Sequence, residues 1–283
     1  MDGIDTNKRI ELYKRKSQEM RLKCLHMVKK AKKGHLGGTF SIIDILSVLY
    51  YGQYLQLYRK SKEYGDCVVI GKGHANLAFL NIWQDLGYIS EEMLNTYGQN
   101  GGIGGQLDTK MFTVYKQPMH SPNIVDNITG SLGHAIGIAS GIAISNRLDG
   151  NNNKSLAIVG DGEMEEGSIW EALDFAAKQN LNNLLCVVDR NRLGVTHFLE
   201  NDNLEEKVKS FGWEVYTTNG HIHKDIEYAF DKFFLKNKSK KPTMIIANTI
   251  KGKGVSFMEN DAKWHHGCPT DDEYQRAILD LEI

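Results

Sequence analysis

Apolar residues change their spacing along the chain, and the changes mark out elements. Between Thr6 and Lys32, the residues Ile10, Leu12, Met20, Leu22, Leu25, Met27 and Val28 recur among charges at helical spacing. That pattern predicts a long amphipathic helix. A second helix is predicted to start near Ser41, with Asp44 placed as in a capping box. The run Cys67-Val68-Val69-Ile70 reads as a short buried strand that stops at Gly71-Lys72-Gly73-His74, and the helical period resumes from Ala75 to Leu86. Residues 98–128 lack any period and carry Gly101, Gly102, Gly104, Gly105, Pro118 and Pro122. A loop of that length in a compact chain is usually functional.

The second half is more regular. Leu156–Val159, Leu184–Val188, Trp213–Thr217 and Thr243–Ala247 read as buried strands, separated by helical stretches near Gly167–Gln179, Leu204–Phe211 and Lys224–Lys236. This alternation predicts right-handed βαβ units and an α/β fold, a parallel sheet covered by helices on both faces. Ligands in such folds bind at the carboxyl ends of the strands. The loops to inspect are therefore Gly71–Ala75, Gly160–Gly167, Asp189–Val195 and Thr249–Gly254.

Composition narrows the class without naming an activity. Among 283 residues, 34 Lys and Arg balance 35 Asp and Glu, which removes the basic footprint of a general nucleic-acid binder. No apolar run approaches the roughly 20 residues of a membrane span, and the charged first thirty residues hold no signal-peptide core. Cys24, Cys67, Cys186 and Cys268 are scattered with no C-x-x-C pair, which fits reduced thiols in a cytoplasmic protein.

The sharpest chemical signal is Gly160-Asp161-Gly162 leaving one strand, with Asn191 leaving the next. Glycines let a backbone approach a diphosphate, and the helix that follows offers amide donors to the anion. Asp161, Asn191 and the main-chain carbonyl of Leu193 are hard oxygen ligands suited to Mg²⁺. Taken alone, the same residues also suit an ordinary tight turn followed by a surface asparagine.

The stretch from Gly160-Asp161-Gly162-Glu163-Met164-Glu165-Glu166-Gly167 through Trp170-Glu171-Ala172 to Asp189-Arg190-Asn191-Arg192-Leu193 resembles the thiamine diphosphate motif of transketolases. Further matches follow in family order. Lys33-Gly34-His35-Leu36-Gly37-Gly38 and Gly71-Lys72-Gly73-His74-Ala75 are similar to its two histidine motifs. Thr129-Gly130-Ser131-Leu132-Gly133-His134 is similar to its cofactor loop, and Lys251–Asn260 with Trp264-His265-His266-Gly267 to the end of the same domain.

The resemblance implies one diphosphate-binding domain over residues 1–283 with an N-terminal helical extension. It implies thiamine diphosphate with Mg²⁺, for which Ca²⁺ or Mn²⁺ can substitute. Asp161, Asn191 and the Leu193 carbonyl would hold the metal. Gly130, Leu132, Gly160, Gly162, His74, Asn191 and His265 would contact the cofactor. His35, His74 and His265 would serve the reacting sugar, a role that suits imidazole because it donates or accepts a proton near neutral pH. Glu166 matches a family carboxylate at the interface between subunits.

Two departures stand out. Where many transketolases carry Gly-His-Pro, this chain reads Gly104-Gly105-Gln106, with His120 further on in a lengthened loop. The chain is also too short for the pyrimidine-binding and C-terminal domains. The expectation is the N-terminal subunit of a split transketolase, active only with a partner chain carrying those domains in an α2β2 assembly. Such an enzyme moves a two-carbon ketol unit from a ketose phosphate to an aldose. Two related enzyme classes fit less well: 2-oxo acid decarboxylating subunits lack the paired histidine motifs, and 1-deoxyxylulose-5-phosphate synthase is one long chain. A subunit devoted to an unusual sugar, or a non-catalytic cofactor-binding subunit, is the alternative.

Overall fold

In a computed structural model of the chain, which describes residues 5–57, 65–104, 125, 127–194, 197–199 and 203–282, six parallel strands form one sheet. They are β1 (Cys67–Ile70), β2 (Asn127–Ile128), β3 (Ser155–Gly160), β4 (Leu184–Arg190), β5 (Glu214–Asn219) and β6 (Thr243–Asn248). Their order across the sheet is β2-β1-β3-β4-β6-β5.

The strands are apolar on both faces because each face has its own helical layer. Val68, Ile70, Leu156, Ile158, Leu185, Val187 and Ile245 point into one core, and Val69, Ala157, Val159, Cys186, Val188, Met244 and Ile246 into the other. This period-two division is what a parallel sheet buried on both sides requires. The first core is closed by α1 (Thr6–Ala31), α2 (Leu36–Tyr51), α3 (Asn76–Asp85), a helix at His223–Phe234 and a last helix at Asp271–Glu282. The second is closed by helices at Ala135–Leu148, Gly167–Lys178 and Leu204–Ser210. Counting the short α4 (Glu91–Asn95), these later helices are α5 (Ala135–Leu148), α6 (Gly167–Lys178), α7 (Leu204–Ser210), α8 (His223–Phe234) and α9 (Asp271–Glu282).

The expected α/β architecture is present, with one element placed differently. Helix α2 begins at Leu36, not near Ser41. Ser41 and Asp44 are buried inside it and cap nothing. Ser41 Oγ hydrogen-bonds Asp189 Oδ2 at 2.6 Å, and Asp44 accepts two bonds from the Arg21 guanidinium at 3.0 and 2.6 Å. Every residue of α2 is buried, so tertiary packing sets its start. Short β2 lies in the stretch read as irregular and, among the described residues, pairs with Val69 and Ile70. No described helix is long and apolar enough to cross a membrane.

Candidate active site at the carboxyl ends of four strands

Strands β1, β3, β4 and β6 are neighbours, so their exit loops stand side by side. A cavity of about 100 Å³ opens there. Each of the four exits contributes to its wall, with His74 after β1, Asp161 and Gly162 after β3, Asn191 and Leu193 after β4, and Lys251 after β6. Gly160, Leu132 and His265 complete it. A larger cavity of about 600 Å³ lies at the opposite end of the strands, where Arg9 pairs with Glu227 at 2.9 Å and the Tyr54 hydroxyl donates to Asp231 at 2.6 Å.

The turn after β3 brings together the residues read as a hard-metal set. Asp161 is 3% exposed; Oδ1 accepts from Gly162 N at 3.0 Å and Oδ2 from Arg192 N, which ties the β3 exit to the β4 exit. Asn191 Oδ1 accepts from Leu193 N at 3.0 Å. Burial, helped by the nearby Asp189 carboxylate, pushes the Asp161 carboxyl up to about 6. A group so placed favours a cation beside it. Lys251 supplies one: its ammonium donates to the carbonyls of Leu193 at 3.2 Å and Gly194 at 2.8 Å. These oxygens therefore already attract positive charge, and one carboxylate, one amide oxygen and one main-chain carbonyl form a donor set that fits a hard divalent ion.

Three imidazoles stand on the other wall. Ring centroids lie 5.7 Å apart for His35 and His74, 5.5 Å for His35 and His265, and 5.5 Å for His74 and His265. His266 is exposed and meets His35 edge-on with ring centroids 4.6 Å apart, and His265 is the member of that pair lining the cavity. Burial and then the Lys72 charge push His74 well below the usual histidine range. Burial and Lys251 bring His265 down to about 4, while burial and Lys72 bring Lys251 down to about 8. At neutral pH His74 and His265 are thus uncharged rings, each able to donate one hydrogen bond and accept another.

Sequence reasoning misses the cationic floor of the site, although Lys72 lies inside the second histidine motif. Lys72 is 2% exposed and Asp189 fully buried, and the two form an ion pair. Lys72 Nζ also donates to Gly38 O at 2.8 Å and Ser41 Oγ at 3.0 Å, while Thr249 Oγ1 donates to Asp189 Oδ1. Only the sheet register, which places Asp189 opposite Gly160, shows that these residues share a floor.

Glu166 and Gly130 stand apart from the cavity wall. Glu166 is exposed at the start of α6, its Cβ packed near Gly133, and Gly130 sits in the exposed part of the loop that reaches the cavity with Leu132. Gln106 and His120 lie outside the described residues.

A family profile described as transketolase, thiamine diphosphate binding domain, matches residues 13–279. The chain belongs to the transketolase family. It is 35% identical over 277 residues to an apulose-4-phosphate transketolase subunit of Phocaeicola vulgatus, covering 96% of this chain and 94% of that one. It is 32% identical over 263 residues to a 6-deoxy-6-sulfo-D-fructose transketolase subunit of a Clostridium species, covering 91% and 92%. Among solved structures, transketolase from Campylobacter jejuni superposes with a TM-score of 0.80 at 26% identity. That match covers 97% of this chain but 43% of the other, so this transketolase family member spans less than half of that solved enzyme.

Proposed function

We propose that the chain is the N-terminal subunit of a split transketolase, a single diphosphate-binding domain with a helical extension over residues 1–283. A partner chain carrying the pyrimidine-binding and C-terminal domains completes it as an α2β2 cytoplasmic enzyme. The reaction transfers a two-carbon ketol unit from a ketose phosphate to an aldose. The observation that carries this reading is the convergence of Asp161, Asn191 and Leu193 with His35, His74 and His265 at one strand edge. The cavity volume supports a partner: about 100 Å³ is well below the roughly 300–1,000 Å³ of a small-molecule site, so another wall must cover the rest of a cofactor. The apulose-4-phosphate and 6-deoxy-6-sulfo-D-fructose transketolase relatives, each named as one subunit of its enzyme, point the same way.

Asp161, Asn191 and the Leu193 carbonyl hold Mg²⁺, with Ca²⁺ or Mn²⁺ as substitutes. Gly160, Gly162, His74, Asn191 and His265 face the diphosphate, and Gly130 and Leu132 carry the loop over the cofactor. Thiamine diphosphate, when bound, supplies the electron sink for breaking and making the carbon–carbon bond. The chain's own contribution is to orient and to move protons. His35 and the uncharged His74 and His265 hydrogen-bond the hydroxyl and carbonyl oxygens of the sugar, and the imidazoles can pass a proton as charge on that oxygen rises and falls. Lys72 below them, paired with Asp189, helps keep His74 and His265 uncharged. Glu166, exposed beside the cofactor loop, meets the partner. A substrate other than the common pentose phosphates is favoured by Gln106 in place of the family histidine. The relatives named for apulose 4-phosphate and 6-deoxy-6-sulfo-D-fructose favour it too.

The test is to isolate the chain natively with whatever co-purifies, identify that partner by mass spectrometry, and assay ketol transfer with thiamine diphosphate and Mg²⁺. A stoichiometric partner with a pyrimidine-binding domain, and activity lost in Asp161→Ala, are expected. Recovery of the chain alone, without cofactor binding, refutes the reading. Turnover of xylulose 5-phosphate as efficient as that of an ordinary transketolase removes the special-sugar part.

A further inference from the structure

Glu163 belongs to neither the metal set nor the histidine set, yet it sits where three walls of the cavity meet. It is 2% exposed and lines the cavity. Its Oε1 accepts from Gly133 N at 3.1 Å, two residues before α5 begins at Ala135. Oε2 has no hydrogen-bond partner among the described residues. The carboxylate lies against Gly71 so closely that a Cβ there would meet Oε2 at 2.2 Å. One side chain therefore touches the exits of β1 and β3 and the loop before α5.

That loop is gripped from its other side as well. Ser168 Oγ donates to Gly133 O at 2.9 Å. Gly133 has φ +89°, and a Cβ on it would lie 2.3 Å from the Ser168 hydroxyl and 2.8 Å from Glu166 Cβ. Both backbone polar groups of Gly133, in the peptides on either side of it, are thus held by residues of the segment after β3, its N–H by Glu163 and its C=O by Ser168. The residue just before it, Leu132, lines the cavity while remaining 43% exposed. A side chain with that much open surface has little packing of its own to fix it, so its place follows from the anchored peptide next to it.

We propose that Glu163 is a positioning residue: through the Gly133 amide it sets the loop Thr129–His134, and with it Leu132, over the cofactor cavity. The inference rests on the cofactor reading of that cavity. It assigns Glu163 no contact with reacting atoms. Its working part is an acceptor oxygen at a fixed place, which a glutamine can also present.

The experiment uses the complete two-subunit enzyme and reads thiamine diphosphate affinity by calorimetry in Mg²⁺, together with kcat and the KM for thiamine diphosphate. Glu163→Ala is expected to weaken cofactor binding by up to about tenfold, the size of one lost hydrogen bond, while kcat at saturating cofactor stays within about twofold. Glu163→Gln is expected to restore affinity to within about threefold of wild type. Equal affinity in Glu163→Ala overturns the proposal, as does a Glu163→Gln enzyme as weak as the alanine variant. If Glu163→Ala fails to fold or assemble, Ser168→Ala decides: it releases the other side of the clamp and is expected to weaken binding by about threefold with unchanged kcat, and unaltered affinity overturns the idea. A wild-type enzyme that binds no thiamine diphosphate refutes the cofactor reading and this proposal together, whereas binding by wild type and Glu163→Ala alike refutes this proposal alone.

Discussion

Replacing Lys72 by methionine tests whether the buried ion pair holds the floor of the site. Lys72 and Asp189 are 2% and 0% exposed. The ammonium spends its donors on Asp189, Gly38 O and Ser41 Oγ, and the carboxylate is left with two hydroxyls, Ser41 and Thr249, once the cation is gone. Removing one partner of a fully buried pair costs about 3–5 kcal/mol, because the remaining charge stays desolvated. For a chain of this size that corresponds to a fall of roughly 5–8 °C in Tm. Lys72→Met/Asp189→Asn removes both charges, keeps an acceptor and donor for the hydroxyls, and is expected to recover at least half of the loss. Urea and thermal unfolding of the wild type, both single variants and the double variant give the coupling energy directly. A second readout is electrostatic. Lys72 is named, after burial, among the causes that depress His74, His265 and Lys251. Lys72→Met should therefore raise the titration points of both histidines in an NMR pH series. A Tm change below about 2 °C, with unmoved histidine titrations, would refute the assignment of this pair as a structural and electrostatic floor.

Three further outcomes are expected. Asp161 takes up its proton near pH 6 in the metal-free chain, so below that pH a divalent ion must displace a proton. Apparent Mg²⁺ or Mn²⁺ affinity should then fall by about tenfold per pH unit as pH drops below 6, and calorimetry showing equal affinity at pH 5 and 7 speaks against Asp161 as a ligand. Asp44 is depressed because Arg21, His221 and His223 outweigh the opposing effect of its burial. A lowered carboxylate stabilises the fold above its unfolded value near 4 and loses that effect only as pH falls through the lower folded value. Asp44→Asn is therefore expected to cost about 3–5 kcal/mol at pH 7, with the gap to wild type closing only in strong acid, as measured by urea unfolding. Gly133→Ala forces a side chain into φ +89° and onto the Ser168 hydroxyl; a loss of about 1–3 kcal/mol in unfolding free energy is expected, and a neutral result would show that the loop relocates freely.

The parts of this protein that could be read from its sequence are those whose partners lie close along the chain. Asp161, Asn191 and Leu193 announce themselves through glycine-rich strand exits, and the strands through short apolar runs between helical patterns. The supporting residues have partners far away in sequence. Lys72 meets Asp189 across 117 positions, and His221 Nδ1 meets Asp44 across 177 while its Nε2 accepts from Ile250 N, next to Lys251. No local period encodes such pairs. Asp44 shows the converse failure, since its spacing from Ser41 imitates a capping box while its real partners are Arg21, His221 and His223.

The misplaced start of α2 has a chemical cause that bears on the site. Leu36-Gly37-Gly38 is a poor helix opening by propensity, because each glycine costs about 1 kcal/mol relative to alanine. The fold accepts that cost where no larger residue fits. A Cβ on Gly37 would sit 2.7 Å from the Trp264 carbonyl, and one on Gly38 3.1 Å from His74 Nε2. Gly38 also presents its carbonyl to Lys72, and Gly37 O accepts from Gly252 N in the loop that carries Lys251. The same two residues that hide the helix from a propensity argument therefore let His74, Trp264 and the Lys251 loop close around His35. Local preference and global fold disagree here because the backbone of α2 forms part of the wall of the site, and a conflict of that kind is itself a pointer to function.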